Sequence, residues 1–269
     1  MASNEIFFAR GDSPKMMDAF KNAQQTFKYF WREWSWENRR IIPALTVACV
    51  KVAFSQRQAD QEDPLVEHMW INEVDFDGIN IRGVLVNSPN ALTNIANGDF
   101  VEIPLEQISD WLFAIPESKP KGISRLFSGN PLPRAYGGFT IQAMRSDMSA
   151  QERKEHDKAW GLEFGDYNET LIVSQQKEYP ENLEEHPMSK NMREKLIEFI
   201  KDNPDELTHA DEEGYTLLHR ETIAGNKTSV EVLLAAGMDK DAKTNQGYTA
   251  LDFAAKLDWQ HIIPLFETK

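Results

Sequence analysis

Residues 66–76 read V-E-H-M-W-I-N-E-V-D-F. After Asp77-Gly78 come I-N-I-R-G-V-L-V-N-S-P-N (79–90), G-D-F-V-E-I-P (98–104) and I-S-D-W-L-F-A-I (108–115). Each run is short, rich in β-branched and aromatic residues, and closed by Gly, Pro, Asn or Asp, which is the pattern of β-strands separated by turns. Asp77-Gly78 between two such runs is a hairpin signal, because glycine reaches positive φ without a Cβ clash. The spacing predicts strands over 66–76, 79–87, 99–104 and 108–115, with a buried strand over 44–54 before them. Such a meander curls into a small barrel or a strongly twisted sheet.

Outward from the strands, Ser13-Pro14 reads as a helix start, serine as N-cap and proline in the first turn. Met16, Phe20, Ala23, Phe27, Phe30, Trp31 and Trp34 then recur at steps of three and four, an apolar stripe for packing on the sheet. Tyr29 and Trp36 fall on the other side, near Lys21, Lys28 and Arg32, and Arg39-Arg40 suits the negative end of the helix. Downstream, 55–64 is a polar loop and Pro116–Gly138 an extended surface loop, punctuated by proline and glycine. Phe139–Met144 reads as a strand. Ser149 with Glu152 is a capping box opening a helix over Ala150–Trp160, with His156 expected at its surface. Leu171–Val173 suggests an edge strand, and the polar, proline-bearing stretch 176–190 a linker.

The blocks M-W-I-N-E-V, G-V-L-V-N-S-P, G-D-F-V-E-I-P and I-S-D-W-L-F, followed by G-G-F-T-I-Q-A-M-R-S-D-M-S-A-Q-E-R and W-G-L-E-F-G-D, resemble the YegJ-like bacterial domain of unknown function. The likeness runs from about Pro14 to Asp166. It implies a compact bacterial domain with no assigned activity.

The last eighty or so residues repeat. Gly214-Tyr215-Thr216 returns as Gly247-Tyr248-Thr249, Leu218 as Leu251, Ile197 as Val230 and Ile263, and Ile200 as Leu233 and Phe266. This period, with G-x-T-x-L-H and V-x-x-L-L-x-x-G-M-D, resembles the ankyrin repeat, a turn and two helices that stack because one unit cannot bury its apolar face alone. About two and a half units are present, with Pro264 interrupting the last helix. The pattern departs from the family at Leu217, where proline is usual, and at Glu221 and Thr222, where small alanines are usual. His219 matches the family's structural, hydrogen-bonding histidine.

The expected fold is therefore α+β. A long N-terminal helix packs on a small antiparallel curved sheet or barrel (1–175), a linker follows (176–190), and all-α ankyrin-type repeats close the chain (191–269).

Composition narrows the function. The formal net charge is −14, and residues 171–269 hold 11 Lys+Arg against 19 Asp+Glu. Neither part has the clustered cations a phosphate backbone requires, so no nucleic-acid partner is expected; a protein with a basic face is favoured. Cys49 is the single cysteine and stands in an apolar run, so it reads as a small core residue, with no disulfide or cysteine metal cluster. Ala2–Ala9 contains Asn4 and Glu5 and has no apolar core of a signal peptide, and no apolar run is long enough to span a membrane, so a cytoplasmic location is expected.

The six histidines are scattered without metal spacing, and no phosphate loop or G-x-S-x-G is present, so no catalytic residue, metal or cofactor is assigned. The first reading is a non-enzymatic protein-binding protein. The ankyrin resemblance implies partner contacts at Glu212, Glu213, Tyr215, Ile223, Asn245, Gln246, Tyr248 and Lys256, with simple capping of the first domain as the competing role. An acidic bacterial protein of this build is also similar in style to immunity proteins of toxin systems, or to a regulator that sequesters a basic partner. The alternatives are a small-molecule sensor with an aromatic pocket, or an enzyme whose site on the N-terminal sheet would involve Glu67, His68 and Asp110.

Overall fold

The computed structural model describes residues 13–58, 63–117 and 131–267. The chain divides into two compact units, Met1–Phe30 with Arg40–Ile172, and Trp31–Arg39 with Val173–Lys269. The expectation about Ala2–Ala9 and the centre of the Pro116–Gly138 loop lie outside the described residues.

In the first unit, six strands form one antiparallel sheet: β1 (Val47–Gln56), β2 (Leu65–Phe76), β3 (Asn80–Leu85), β4 (Phe100–Pro104), β5 (Ile108–Ile115) and β6 (Arg134–Gly137). Their order is β4-β3-β2-β1-β5-β6, so β1 is inside the sheet with β2 on one side and β5 on the other. Strands β4 and β6 are its two ends and do not pair with each other, so among the described residues the sheet is open and not a barrel. The five strands expected between residues 44 and 115 are present to within a few residues, whereas β6 falls in the stretch expected to be a loop.

The β2–β3 turn holds because Asp77 Oδ1 accepts from the N–H groups of Ile79 and Asn80 at 2.8 and 2.7 Å, while Gly78 takes a φ of 97°. Strand β5 is buried along nearly its whole length, which explains its near-continuous apolar sequence.

One face of the sheet presents Val50, Ile71 and Trp111, paired across neighbouring strands. Against it lies α1 (Pro14–Glu37), started by Ser13, whose Oγ accepts the Met16 N–H at 3.3 Å. Phe27 meets Phe30 and, edge-on, Phe76, and the Trp111 indole N–H donates to the Ala23 carbonyl at 3.1 Å. The other face holds a second core of Leu112, Ala114, Ala135, Ile141, Leu162 and Phe164, with Cys49 and Trp70 at its margin.

Phe139–Met144 is not a strand. Strand β6 ends at Gly137, and Phe139–Arg145 forms helix α2. Gly137 and Gly138 take φ of 75° and 70°, and a Cβ on Gly137 would stand 2.3 Å from the Trp111 carbonyl. Helix α3 (Ala150–Trp160) carries the expected capping box of Ser149 and Glu152. His156 is half-buried, not surface-exposed, beside Phe164 and Trp160. Leu171 contributes a carbonyl to the Gly137 N–H at 2.8 Å, but 171–173 is not a strand.

The second unit is helical: α4 (Pro187–Asn191), α5 (Arg193–Asp202), α6 (Leu217–Ile223), α7 (Lys227–Ala235), α8 (Ala250–Lys256) and α9 (Ile263–Glu267). Pro264 sits in the first turn of α9, where its missing N–H costs no helical bond. The stretch read as a linker is packed. Asn182, Glu185, His186 and Ser189 are buried, His186 Nδ1 accepts the Met188 N–H to cap α4, and Glu185 accepts from Ser189 Oγ and the Thr228 N–H, each at 2.6 Å.

Residues 31–39 are part of this unit's core. Arg32, Glu33, Ser35 and Trp36 are buried, Trp36 against other residues of this unit.

Candidate functional site

Two hairpins of the second unit repeat the same bonds. Asp211 N–H donates to the Tyr215 carbonyl at 3.0 Å, and Thr244 N–H to the Tyr248 carbonyl at 2.9 Å. Each hairpin runs into a helix capped by a threonine: Thr216 accepts the His219 N–H, Thr249 accepts the Asp252 N–H, and both are closed as capping boxes. The hairpins are tied together by Asn245. Its side-chain amide donates to the Glu212 carbonyl at 2.8 Å across 33 residues, and its backbone N–H to the Glu213 carbonyl at 2.9 Å.

His219 completes the tie. Its Nδ1 accepts the Thr216 N–H at 3.1 Å, so Nε2 carries the proton and donates to the Tyr248 carbonyl at 3.2 Å. Burial, with the Tyr248 bond opposing it, holds the imidazole below its ordinary range, so the ring stays neutral and structural.

Of the residues nominated for partner contact, Glu212, Glu213, Asn245, Gln246 and Lys256 are exposed and Tyr248 is half-buried. Tyr215 and Ile223 are corrections, being 3% and 1% exposed. The Tyr215 ring stacks on Phe253 at 5.7 Å beneath the Arg220 guanidinium, and the Ile223 carbonyl accepts the Trp259 indole N–H at 3.2 Å. Both serve packing between the helices, which leaves no surface for a partner.

At the far end of α6 from its hairpin lies a second polar constellation. Trp36 Nε1 donates to Asn226 Oδ1 at 2.9 Å, and Asn226 Nδ2 donates to Glu221 Oε2 at 2.8 Å. The other Glu221 oxygen pairs with Arg39 at 2.7 Å, and the Arg39 guanidinium lies 4.7 Å over the Trp36 ring. The Trp36 ring also stacks on His186, whose Nε2 meets Glu33 at 3.0 Å. Glu221, which departs from the small residue expected there, is thus the receptor for residues 31–39. That departure was the one sequence signal of this seat.

Glu67, His68 and Asp110 do not converge. Consecutive strand residues point to opposite faces. Glu67 accepts the N–H groups of Asn90, Ala91 and Leu92, and these bonds, Asn90 first, hold its carboxyl below the usual range. His68 Nδ1 contacts Ser109 Oγ at 2.8 Å, and its ring stacks on Phe20.

Asp110 is fully buried and caps α2, accepting from Phe139 N–H at 2.9 Å, Thr140 N–H at 2.8 Å and Thr140 Oγ1 at 2.5 Å. Burial raises its pKa against these bonds; burial likewise lowers that of Lys51, which Asp110 opposes. Burial also pushes the Cys49 thiol up, leaving it a poor nucleophile. Among the described residues no cluster of three His, Cys, Asp or Glu side chains could hold a metal, and no helix is long and apolar enough to cross a membrane. A shallow, polar cleft of about 540 Å³ lies between α1 and α2, lined among others by Lys15, Asp18, Asn22, Gln142, Ser146 and Tyr167.

A helix laid on an open antiparallel sheet, whose blocks match in order the bacterial domain named above, defines the class. The chain belongs to the DUF2314 family of uncharacterized proteins conserved in bacteria, whose profile matches residues 13–164. The chain is similar along its whole length to a protein of Neisseria meningitidis serogroup B named "Putative ankyrin repeat protein NMB1133/NMB1171". Identity is 45% over 269 residues, covering 100% of this chain and 99% of that protein. It is also similar to "Uncharacterized protein YegJ" of Escherichia coli K12, 27% identical over 89 residues, which are 33% of this chain and 48% of that protein. No solved structure matches the chain.

Proposed function

We propose that this is a non-enzymatic protein-binding protein whose hairpin-and-helix units are ankyrin-type repeats, and that a protein with a basic face docks on their hairpin tips. The observation that carries the reading is a division of labour between the hairpins and the opposite end of α6. Residues 31–39 bond Glu221 near the C-terminal end of α6 and Asn226 just beyond it, while Glu212, Glu213, Asn245 and Gln246 at the hairpins stay exposed. A unit that merely capped its own chain would have no need of a second, ordered and open surface. The name of the Neisseria relative supports the same reading, and the excess of acid in residues 171–269 favours a basic partner.

The test is a partner isolated by co-purification and identified by mass spectrometry, then studied by stopped-flow with the Glu212→Lys/Glu213→Lys variant. Exposed charges act mainly on encounter, so the variant should associate more slowly with its fold intact, and wild-type association should slow as salt rises. On-rates that ignore both salt and the substitutions would refute the basic-partner reading. The small-molecule alternative draws on the polar cleft between α1 and α2, and a ligand whose binding is lost in Asn22→Ala and Ser146→Ala together would favour it.

A further inference from the structure

The sheet of the first unit ends at β4, and the phase of its ladder determines which backbone groups face outward. Leu85 N–H donates to the Asp99 carbonyl at 2.9 Å, and Leu105 N–H to the Ile79 carbonyl at 3.3 Å. In an antiparallel pair, residues that exchange bonds alternate with residues that do not. With Ile81 opposite Ile103 and Gly83 opposite Val101, those residues bond to β3, and Phe100 and Glu102 turn their N–H and C=O away from it. Among the described residues no strand pairs with that outer side. At the other end of the sheet the backbone is covered, since Ala135 and Gly137 donate to the carbonyls of Glu163 and Leu171.

The side chains along the open edge have a definite chemistry. Phe100 is 67% exposed and faces the same way as Val84, its cross-strand partner, with exposed Val86 two residues on. Glu102 follows Phe100 on that face. It shares the Arg82 guanidinium with Asp75 and Asp77, at 3.2, 3.8 and 3.2 Å, so three carboxylates surround one cation. An apolar strip thus ends in local negative charge.

We propose that the β4 edge is a docking site for an extended segment of another protein, one carrying an apolar and a basic residue two positions apart. The backbone of that segment adds a short strand over Phe100 and Glu102; its apolar side chain lies against Phe100 and its cation beside Glu102. Pro104, without an N–H, limits the added strand to this span. A second copy of the chain is disfavoured as occupant, because pairing two β4 strands sets their acidic groups side by side. The acid that would guard an edge against self-association here selects the partner's charge.

The probes are two short threonine-rich peptides with Val and, two positions away, Lys or Glu, studied by amide-exchange NMR on the full chain. The Lys peptide should slow exchange at the Phe100 and Glu102 amides by about tenfold and bind about tenfold tighter than the Glu peptide. Glu102→Lys should reverse that preference. Phe100→Pro, which removes one outward N–H and leaves the β3 ladder intact, should weaken the Lys peptide to a similar degree. Equal binding to Phe100→Pro, an unchanged preference in Glu102→Lys, or perturbation confined to other residues would overturn the proposal. So would exchange at both amides that is already slow without peptide and slows further with protein concentration, since a second copy would then hold the edge.

Discussion

Trp36 donates its indole N–H to the side-chain carbonyl of Asn226 at 2.9 Å, and the two residues are 3% and 0% exposed. A buried indole needs a partner for its polar end, and Asn226 supplies one while its own amide group is held by Glu221. Trp36→Ala should therefore cost about 3–5 kcal/mol, the range for removing a large buried aromatic, and Phe27→Ala about the same. Urea unfolding of both variants measures this. A loss at Trp36 well below that at Phe27 would mean that the residue is solvated.

Alanine is the residue expected at position 221 from the repeat resemblance, yet Glu221→Ala should destabilise. It strips Asn226 of an acceptor in a buried site and Arg39 of its carboxylate, at a cost of about 1–3 kcal/mol. Arg39 is partly exposed and rehydrates, which keeps the loss below that of a fully buried pair. A shift of the urea midpoint upward would show the network to be dispensable.

Acidification should weaken the fold. His68, His156, His219 and His261 are all held below their ordinary value of 6.5, each first by burial. A base with a depressed folded pKa contributes stability that is complete above its unfolded value and lost as pH falls through the folded one. Glu67, also depressed, acts in the same sense at lower pH. Asp110, raised by burial, has the opposite sign, and its contribution disappears as pH rises through its folded value. The urea midpoint should fall between about pH 7 and 5.5, and a flat or rising profile would contradict the burial of these rings.

Residues 173–269 expressed alone should give no cooperative melt, because Trp31–Arg39 complete that unit. Arg32 donates to the carbonyls of Asn182 and Leu183 and lies over the Trp259 ring, contacts the fragment would lack. A synthetic peptide of residues 31–39 added in trans should restore a cooperative transition by circular dichroism. A sharp melt of the fragment without the peptide would place the unit's boundary at 173.

What the sequence determined by itself was local. The Asp77-Gly78 hairpin, the strands on either side, the Ser13 and Ser149 caps and the recurrence of hairpin and helix in 211–256 each depend on residues a few positions apart, and their side-chain patterns are visible in order along the chain. Tertiary structure alone decided the rest. Phe139–Arg145 is a helix because Asp110, 29 residues earlier, accepts its first N–H groups, whereas the alternation of Phe139, Ile141 and Ala143 suited a strand equally well. Tyr215 and Ile223 look like surface residues by repeat position and are buried by Phe253 and Trp259. The partners of Glu33 and Trp36 lie 153 and 190 residues away, beyond the reach of any local pattern. A buried polar side chain and an exposed one have the same letter in a sequence; the difference lies in a partner that only the folded chain brings within hydrogen-bonding distance.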